Sequence, residues 1–283
     1  MSGNLGTMTF RDRGDDMVAA ARVYTNKSKG NGATEEQRRR RCLLANLVNM
    51  YSAFKPAFKK AFEFKGKHVS DYNQFVKVNL SAARIMLPKA DVDADKYICT
   101  NEIVSKGSFP RGVDVSYSDS KFSLGGLQGG TATFAMTETV AEFTARLLAN
   151  NNYLKVGDQI TFLAYFGNPS PKAEGVTLAF CAAGIYEITL SEDDERPLNE
   201  IISGSSFALT LDTNMTTLKA TGCQSLAVIF SRIENGKLVV SNAKFATSLT
   251  DEKLNPYIDG AMAQRAMADY GYQGNVLLTP GDN

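Results

Sequence analysis

A chain of 283 residues that is 43% hydrophobic has the apolar content for a sizeable core, which excludes a disordered protein. It contains no run of 18 apolar residues, and its first ten residues lack the apolar stretch of a secretion signal, so neither a membrane span nor a leader is expected. The formal charge of +1 conceals a segregation, because residues 1–90 carry 17 Lys and Arg against 7 Asp and Glu, whereas residues 91–283 carry 14 against 23. Such a dipole suits phosphate binding or head-to-tail docking of identical subunits, and neither requires chemistry on a substrate.

Residues 1–33 are rich in Gly, Ser, Asn, Thr and charge and read as a flexible basic arm that includes Arg11, Arg13, Arg22, Lys27 and Lys29. A helical segment is expected over 34–90. Thr34 followed by Glu35, Glu36 and Gln37 is a capping box, which sets the start of a first helix. Its apolar stripe is Leu43, Leu44, Leu47, Val48, Tyr51 and Phe54, and Pro56 disfavours helical geometry at Lys55, so the helix ends or kinks there. Phe58 and Phe62 continue the stripe on a second short helix, and a third runs from Ser70 to about Leu80. Arg38, Arg39, Arg40 and Arg41 point around about 300 degrees of a helix and cannot share one partner. They solvate the helix, contact phosphate, or dock on an acidic neighbour.

From Lys96 the pattern becomes short β-branched and aromatic runs bounded by Gly, Pro, Asn and Asp. They are 97–104, 113–117, 159–166, 176–182, 186–190, 207–211, 226–233 and 238–246, and they predict a β-sandwich body over 91–249. Asn235 and Gly236 predict a two-residue hairpin turn between the last two. Helical spacing over 138–150 inserts a helix among the strands, after a glycine-rich loop at 125–130 that lacks the Lys-Ser/Thr ending of a phosphate loop. Residues 250–283 form a C-terminal extension with a small-residue helix around Met262, Ala263, Ala266 and Met267. The fold class is therefore α+β, an N-terminal helical segment on a mainly antiparallel β-sandwich with extended N- and C-terminal arms.

No catalytic constellation emerges. His68 is the single histidine, no Gly-x-Ser-x-Gly or His-Glu-x-x-His motif occurs, and the chain reads as no enzyme, without a cofactor or metal. Glu192, Asp193, Asp194 and Glu195 lack the alternating ligands and central glycine of a calcium loop, and read as a solvated turn or as the surface that receives a basic arm. Cys42, Cys99, Cys181 and Cys223 are widely spaced and read as reduced thiols.

Several short motifs resemble those of an uncharacterised protein family found in Bacteroidetes and in the phages that infect them, crAss-like phages included. They are Thr34, Gln37 and Arg41 in Thr-x-x-Gln-x-x-x-Arg, then Lys55-Pro56, then Asn73 and Asn79 on either side of Val76, then Ser105-Lys106-Gly107, followed by a β-rich body. The similarity covers about residues 20 to 248. Gly32 and Ala33 stand where family members usually carry Pro-Arg, and the helix near 140 and the tail beyond 250 are additions. The resemblance implies no activity. It implies a virion structural protein assembled in the bacterial host cytoplasm, either an auxiliary head protein or a head–tail connector of the portal and tail. Expected partners are further copies of the chain and portal, capsid or tail proteins. Nucleic-acid binding through the basic N-terminal region is the alternative expectation.

Overall fold

The computed structural model of the chain describes residues 3–5, 8–13, 16–21, 34–130, 135–169, 178–202, 209–211, 217–220 and 222–271. Composition predicts no element before residue 34, yet three strands form there, β1 (Gly3–Leu5), β2 (Met8–Arg13) and β3 (Asp16–Ala21). They make an antiparallel sheet of order β1-β2-β3, with Leu5 opposite Met8 and Phe10 opposite Ala19. Each run is too short, and too mixed with Gly and Asp, for a composition-based reading to register its alternation.

Helix α1 (Glu35–Ala53) starts where the capping box predicts: the Thr34 N–H donates to Gln37 Oε1 at 3.1 Å, and the Gln37 N–H donates to Thr34 Oγ1 at 3.3 Å. It stops at Phe54, and Pro56 sits in the first turn of α2 (Lys55–Phe58), where its missing N–H costs nothing. The buried stripe is Cys42, Leu43, Asn46, Leu47 and Met50, while Val48 is 36% exposed. A buried asparagine is the part that periodicity misses. Asn46 donates to the Ile98 carbonyl at 3.1 Å and accepts the Ile98 N–H at 2.9 Å, so it joins helix to body as a strand neighbour would. In α3 (Asp71–Asn79) Ser70 caps the Asn73 N–H, and Asn79 makes the same two-way bond with Ile103 at 2.9 and 2.7 Å. A short α4 (Lys89–Asp93) leads into the body.

The strand expected over 97–104 survives only as β4 (Ile103–Ser105). The preceding backbone gives its hydrogen bonds to side chains instead. Asn46 holds Ile98, Ser225 Oγ donates to the Cys99 carbonyl at 2.7 Å, and Glu102 accepts from the Thr100 N–H at 2.7 Å. Next come β5 (Asp114–Ser118), β6 (Lys121–Gly125), the inserted helix α5 (Val140–Asn150) and the long β7 (Gln159–Pro169). The two runs expected at 176–182 and 186–190 are one strand, β8 (Leu178–Thr189), because Gly184 stays in register opposite Ala164. A Cβ at Gly184 would meet the Tyr186 and Phe166 rings at 2.8–3.0 Å, so the glycine makes room for aromatics and ends nothing. After α6 (Leu198–Ile202), β9 (Leu209–Leu211) and β10 (Thr217–Ala220) comes β11 (Cys223–Glu234). The run expected at 238–246 divides into β12 (Lys237–Val240), β13 (Ala243–Lys244) and β14 (Ala246–Thr247), followed by α7 (Asp251–Ile258) and α8 (Ala261–Gly271).

The central sheet has the order β12-β11-β7-β8, with β14 beside the other end of β11, and all of its pairs are antiparallel. Ile160, Phe162, Ala164 and Phe166 of β7 face a core shared with Val228 and Phe230, with α5 (Val140, Phe143, Leu147) and with β5 and β6 (Val115, Phe122, Leu124). Leu163 and Tyr165 face a second core, with Ala227 and Ile229, against Leu47, Met50, Phe54, Phe58, Phe75 and Tyr257 of the helical layer. Cover on both faces explains why β7 reads as an unbroken apolar run and not as an alternation. β5 and β6 belong to a second antiparallel sheet, of order β5-β6-β10-β9. The molecule is α+β, with the N-terminal helices on one face of an antiparallel sheet and a smaller sheet with an inserted helix on the other.

Candidate binding surface

Where the helical layer meets the body, backbone bonds fix a short ladder. The Glu63 N–H donates to the Lys106 carbonyl at 3.1 Å, and the Lys106 N–H donates to the Ala61 carbonyl at 3.0 Å. Beside it, β4 pairs with β13, Ser105 opposite Ala243 and Ile103 opposite Lys244. The Glu63 carboxylate closes the following loop by accepting the Ser108 N–H at 2.7 Å, the Ser108 hydroxyl at 2.6 Å and the Val240 N–H at 3.4 Å. Burial pushes its pKa up, but the bonds from Ser108 and Val240 prevail and hold it below the usual carboxylate value. Gly107 is required here, since a Cβ would lie 2.4 Å from the Val240 carbonyl oxygen.

This packing leaves a pocket of about 350 Å³. Ile103, Val113 and Ala243 give it an apolar floor, and Lys106, Lys244, Asp114 and Asn242 line it with polar groups. The Ser105 hydroxyl is committed to the Ser241 carbonyl at 2.6 Å, and Asn242 Oδ1 accepts the Gly107 N–H at 3.3 Å, so the remaining polar lining is the two ammoniums, the Asp114 carboxylate and the Asn242 NH2 group. That set suits holding an anionic group with a neighbouring donor.

Among the residues singled out by sequence, Arg38, Arg39, Arg40 and Arg41 occupy the first turns of α1. Arg40 pairs with Glu36 at 2.8 Å, and Arg41 Nη1 donates to the Tyr270 carbonyl at 3.5 Å, so part of this run serves its own helix and the α8 end. Arg11 and Arg13 lie on β2 opposite Val18 and Asp16, while Arg22, Lys27 and Lys29 fall outside the described residues. Glu192, Asp193, Asp194 and Glu195 form the turn between β8 and α6. Within it, Asp194 takes Arg196 Nη2 at 2.7 Å, and that guanidinium holds the carboxyl below its usual pKa, while the Asp194 carbonyl receives the Ala141 N–H at the start of α5. The turn therefore has a structural task as well as charge.

The glycine-rich loop uses its own donors. The Gln128 N–H goes to Asn151 Oδ1 at 3.0 Å, and Asn151 Nδ2 returns to the Gln128 carbonyl at 2.7 Å, which ties the loop to the end of α5. His68 is exposed in a tight turn at φ 66°. Sequence reasoning passed over Phe64 and Lys244, and met Lys106 only inside the Ser105-Lys106-Gly107 motif. Phe64 is 65% exposed, between the exposed Lys59 and Lys60 on one side and Lys65 and Lys67 on the other. The available signal was the density of lysine around a third phenylalanine that helical spacing from Phe58 and Phe62 does not reach.

Among the described residues there is no cluster of three or more His, Cys, Asp and Glu able to hold a metal, and no helix long and apolar enough to cross a membrane. Compared with known proteins, the chain matches no family model, no curated protein and no solved structure.

Proposed function

We propose that the protein is a non-enzymatic structural component of a phage-like virion, a portal or tail ring protein or an auxiliary head protein, that assembles through its N-terminal segment. The observation that carries this reading is the β1–β2–β3 sheet, which pairs with no other described strand. Its register puts Gly3, Leu5, Met8, Phe10, Asp12, Met17, Ala19 and Ala21 at positions of one face, mostly apolar with one aspartate, and Asn4, Thr9, Arg11, Arg13, Asp16, Val18 and Ala20 at positions of the other. A three-stranded sheet needs its apolar face covered to be stable, and a neighbouring copy is the cover proposed. Residues 1–33 carry five Lys and Arg against three Asp, so the segment meets an acidic body with a small net positive charge, and long-range attraction adds to the registration of the contact. Glu192, Asp193 and Glu195 are exposed and are the proposed counterpart, Asp194 being paired with Arg196. The resemblance to the Bacteroidetes and phage family supplies the virion context.

Light scattering of purified full-length protein and of residues 31–283 tests the reading. The full chain is expected to form a defined oligomer, and the truncated chain to be monomeric, keeping a cooperative thermal transition and losing from its far-ultraviolet spectrum only the contribution of β1–β3. A full-length monomer in the presence of the other particle proteins, or a truncated chain that builds the same oligomer, would sink it.

A further inference from the structure

We infer that residues 55–68 form a contact site for single-stranded nucleic acid, in which Phe64 stacks on a base while Lys59, Lys60 and Lys67 engage the flanking phosphates. The inference stands apart from the assembly reading and uses none of its residues. Phe62 is 3% exposed and Phe64 is 65% exposed, although they lie only two positions apart. The difference arises because the 61–63 backbone is bonded to Lys106, which turns Phe62 into the core and leaves the next residues projecting from a fixed base. The chain then reverses through a turn closed by the Val69 N–H on the Gly66 carbonyl at 3.0 Å. An aromatic ring is thus held out from a rigid support instead of on a long loop.

Cations outnumber anions around it. Lys55, Lys59, Lys60, Lys65, Lys67 and Lys106 are all exposed. Of the two nearby carboxylates, Asp71 is paired with Lys65 at 2.6 Å, and Glu63 turns its charge toward the Ser108 and Val240 donors. A cationic surface around an exposed ring is the arrangement by which proteins hold a single strand without reading its sequence: ammoniums track the backbone and the ring takes one base face. A duplex does not fit, because its base faces are already stacked.

The test uses full-length protein and a fluorescein-labelled oligo(dT), read by anisotropy. Binding is expected at low salt and should weaken as salt rises, with a log–log slope of roughly −2 to −3 if three or four phosphates are neutralised. Phe64→Ala should weaken it about tenfold or more. Lys59→Glu with Lys60→Glu should weaken it at least as much and flatten the slope, and Lys67→Glu alone should act in the same direction should the double variant prove unstable. Ile233→Ala, another exposed apolar residue, should leave it unchanged. The inference is overturned if oligo(dT) does not bind, if Phe64→Ala binds as tightly as the parent, if deletion of residues 1–30 abolishes binding that these variants leave intact, or if anionic vesicles bind through Phe64 and oligo(dT) does not.

Discussion

Glu63 shows how much one exposed-looking carboxylate can hold, since its three hydrogen bonds fix the loop that frames the pocket. Its folded pKa lies below the unfolded value, so the stability it supplies is present above about pH 4.5 and is lost as pH falls through the folded pKa. Glu63→Gln is expected to cost about 1–2 kcal/mol at pH 7, and urea melts at descending pH should show the gap between variant and parent closing below pH 4.5. A gap that is constant with pH would mean that the charge is irrelevant. Arg232 and Asp158 form a buried bidentate pair at 2.8 and 2.6 Å, with the guanidinium also bonded to the Tyr153 carbonyl and 4.5 Å from the Phe109 ring centre. Arg232→Met alone strands a buried carboxylate and should cost about 3–5 kcal/mol. Adding Asp158→Asn should recover part of that loss, which a double-mutant cycle in urea would measure. Burial pushes the Cys42 and Cys181 thiols up to about 11 and Cys223 to about 12. All four cysteines are free, so a thiol reagent at pH 8 should label the native protein slowly and the unfolded protein fully.

At the scale of elements, local chemistry set the ends and tertiary contacts set the extents. The start of α1 and the cap of α3 are side-chain-to-backbone bonds within a few residues, and the break before Pro56 follows from the proline ring, so spacing along the chain reveals them. The β11–β12 turn is equally local: Asn235 and Gly236 both have positive φ, 51° and 72°, and Glu234 pairs with Lys237. Gly236→Ala meets nothing within 4 Å, so its expected cost is the backbone one alone, about 1–2 kcal/mol, by thermal melt. Gly184→Ala must displace aromatic rings instead, and should cost about 1–3 kcal/mol with altered near-ultraviolet dichroism. A Gly184→Ala variant of unchanged stability and spectrum would show that the rings move freely. The same glycine looks like a strand break in sequence because its packing partners, Phe166 and Tyr186, are set by the register with β7. Residues 97–102 mislead in the opposite direction, having strand composition but bonds to Asn46, Ser225 and Glu102 side chains that lie far away in sequence or run against the ladder.

At the scale of the whole molecule, both faces of the central sheet are covered by segments distant in sequence. Leu254, Tyr257, Met262, Ala263 and Ala266 of α7 and α8 are buried against the layer built by α1 and its neighbours. Truncation after residue 249 would expose that surface, at about 1.5–3 kcal/mol for each large side chain uncovered. That sum rivals the whole stability of a typical domain, so the truncated chain should lose its cooperative thermal transition. A sharp transition within a few degrees of the parent would show that the two helices are dispensable. The sequence by itself determined the fold class, the capping box that opens α1, the position of the inserted helix and the segregation of charge, because each depends on neighbouring residues or on composition. Only the tertiary structure decided that Asn46 and Asn79 are buried connectors, that β8 is continuous, that β1, β2 and β3 pair into an antiparallel sheet, and that Phe64 is exposed while Phe62 is buried. Each of those depends on which distant backbone group or ring occupies the adjacent space, and no spacing along the chain encodes that.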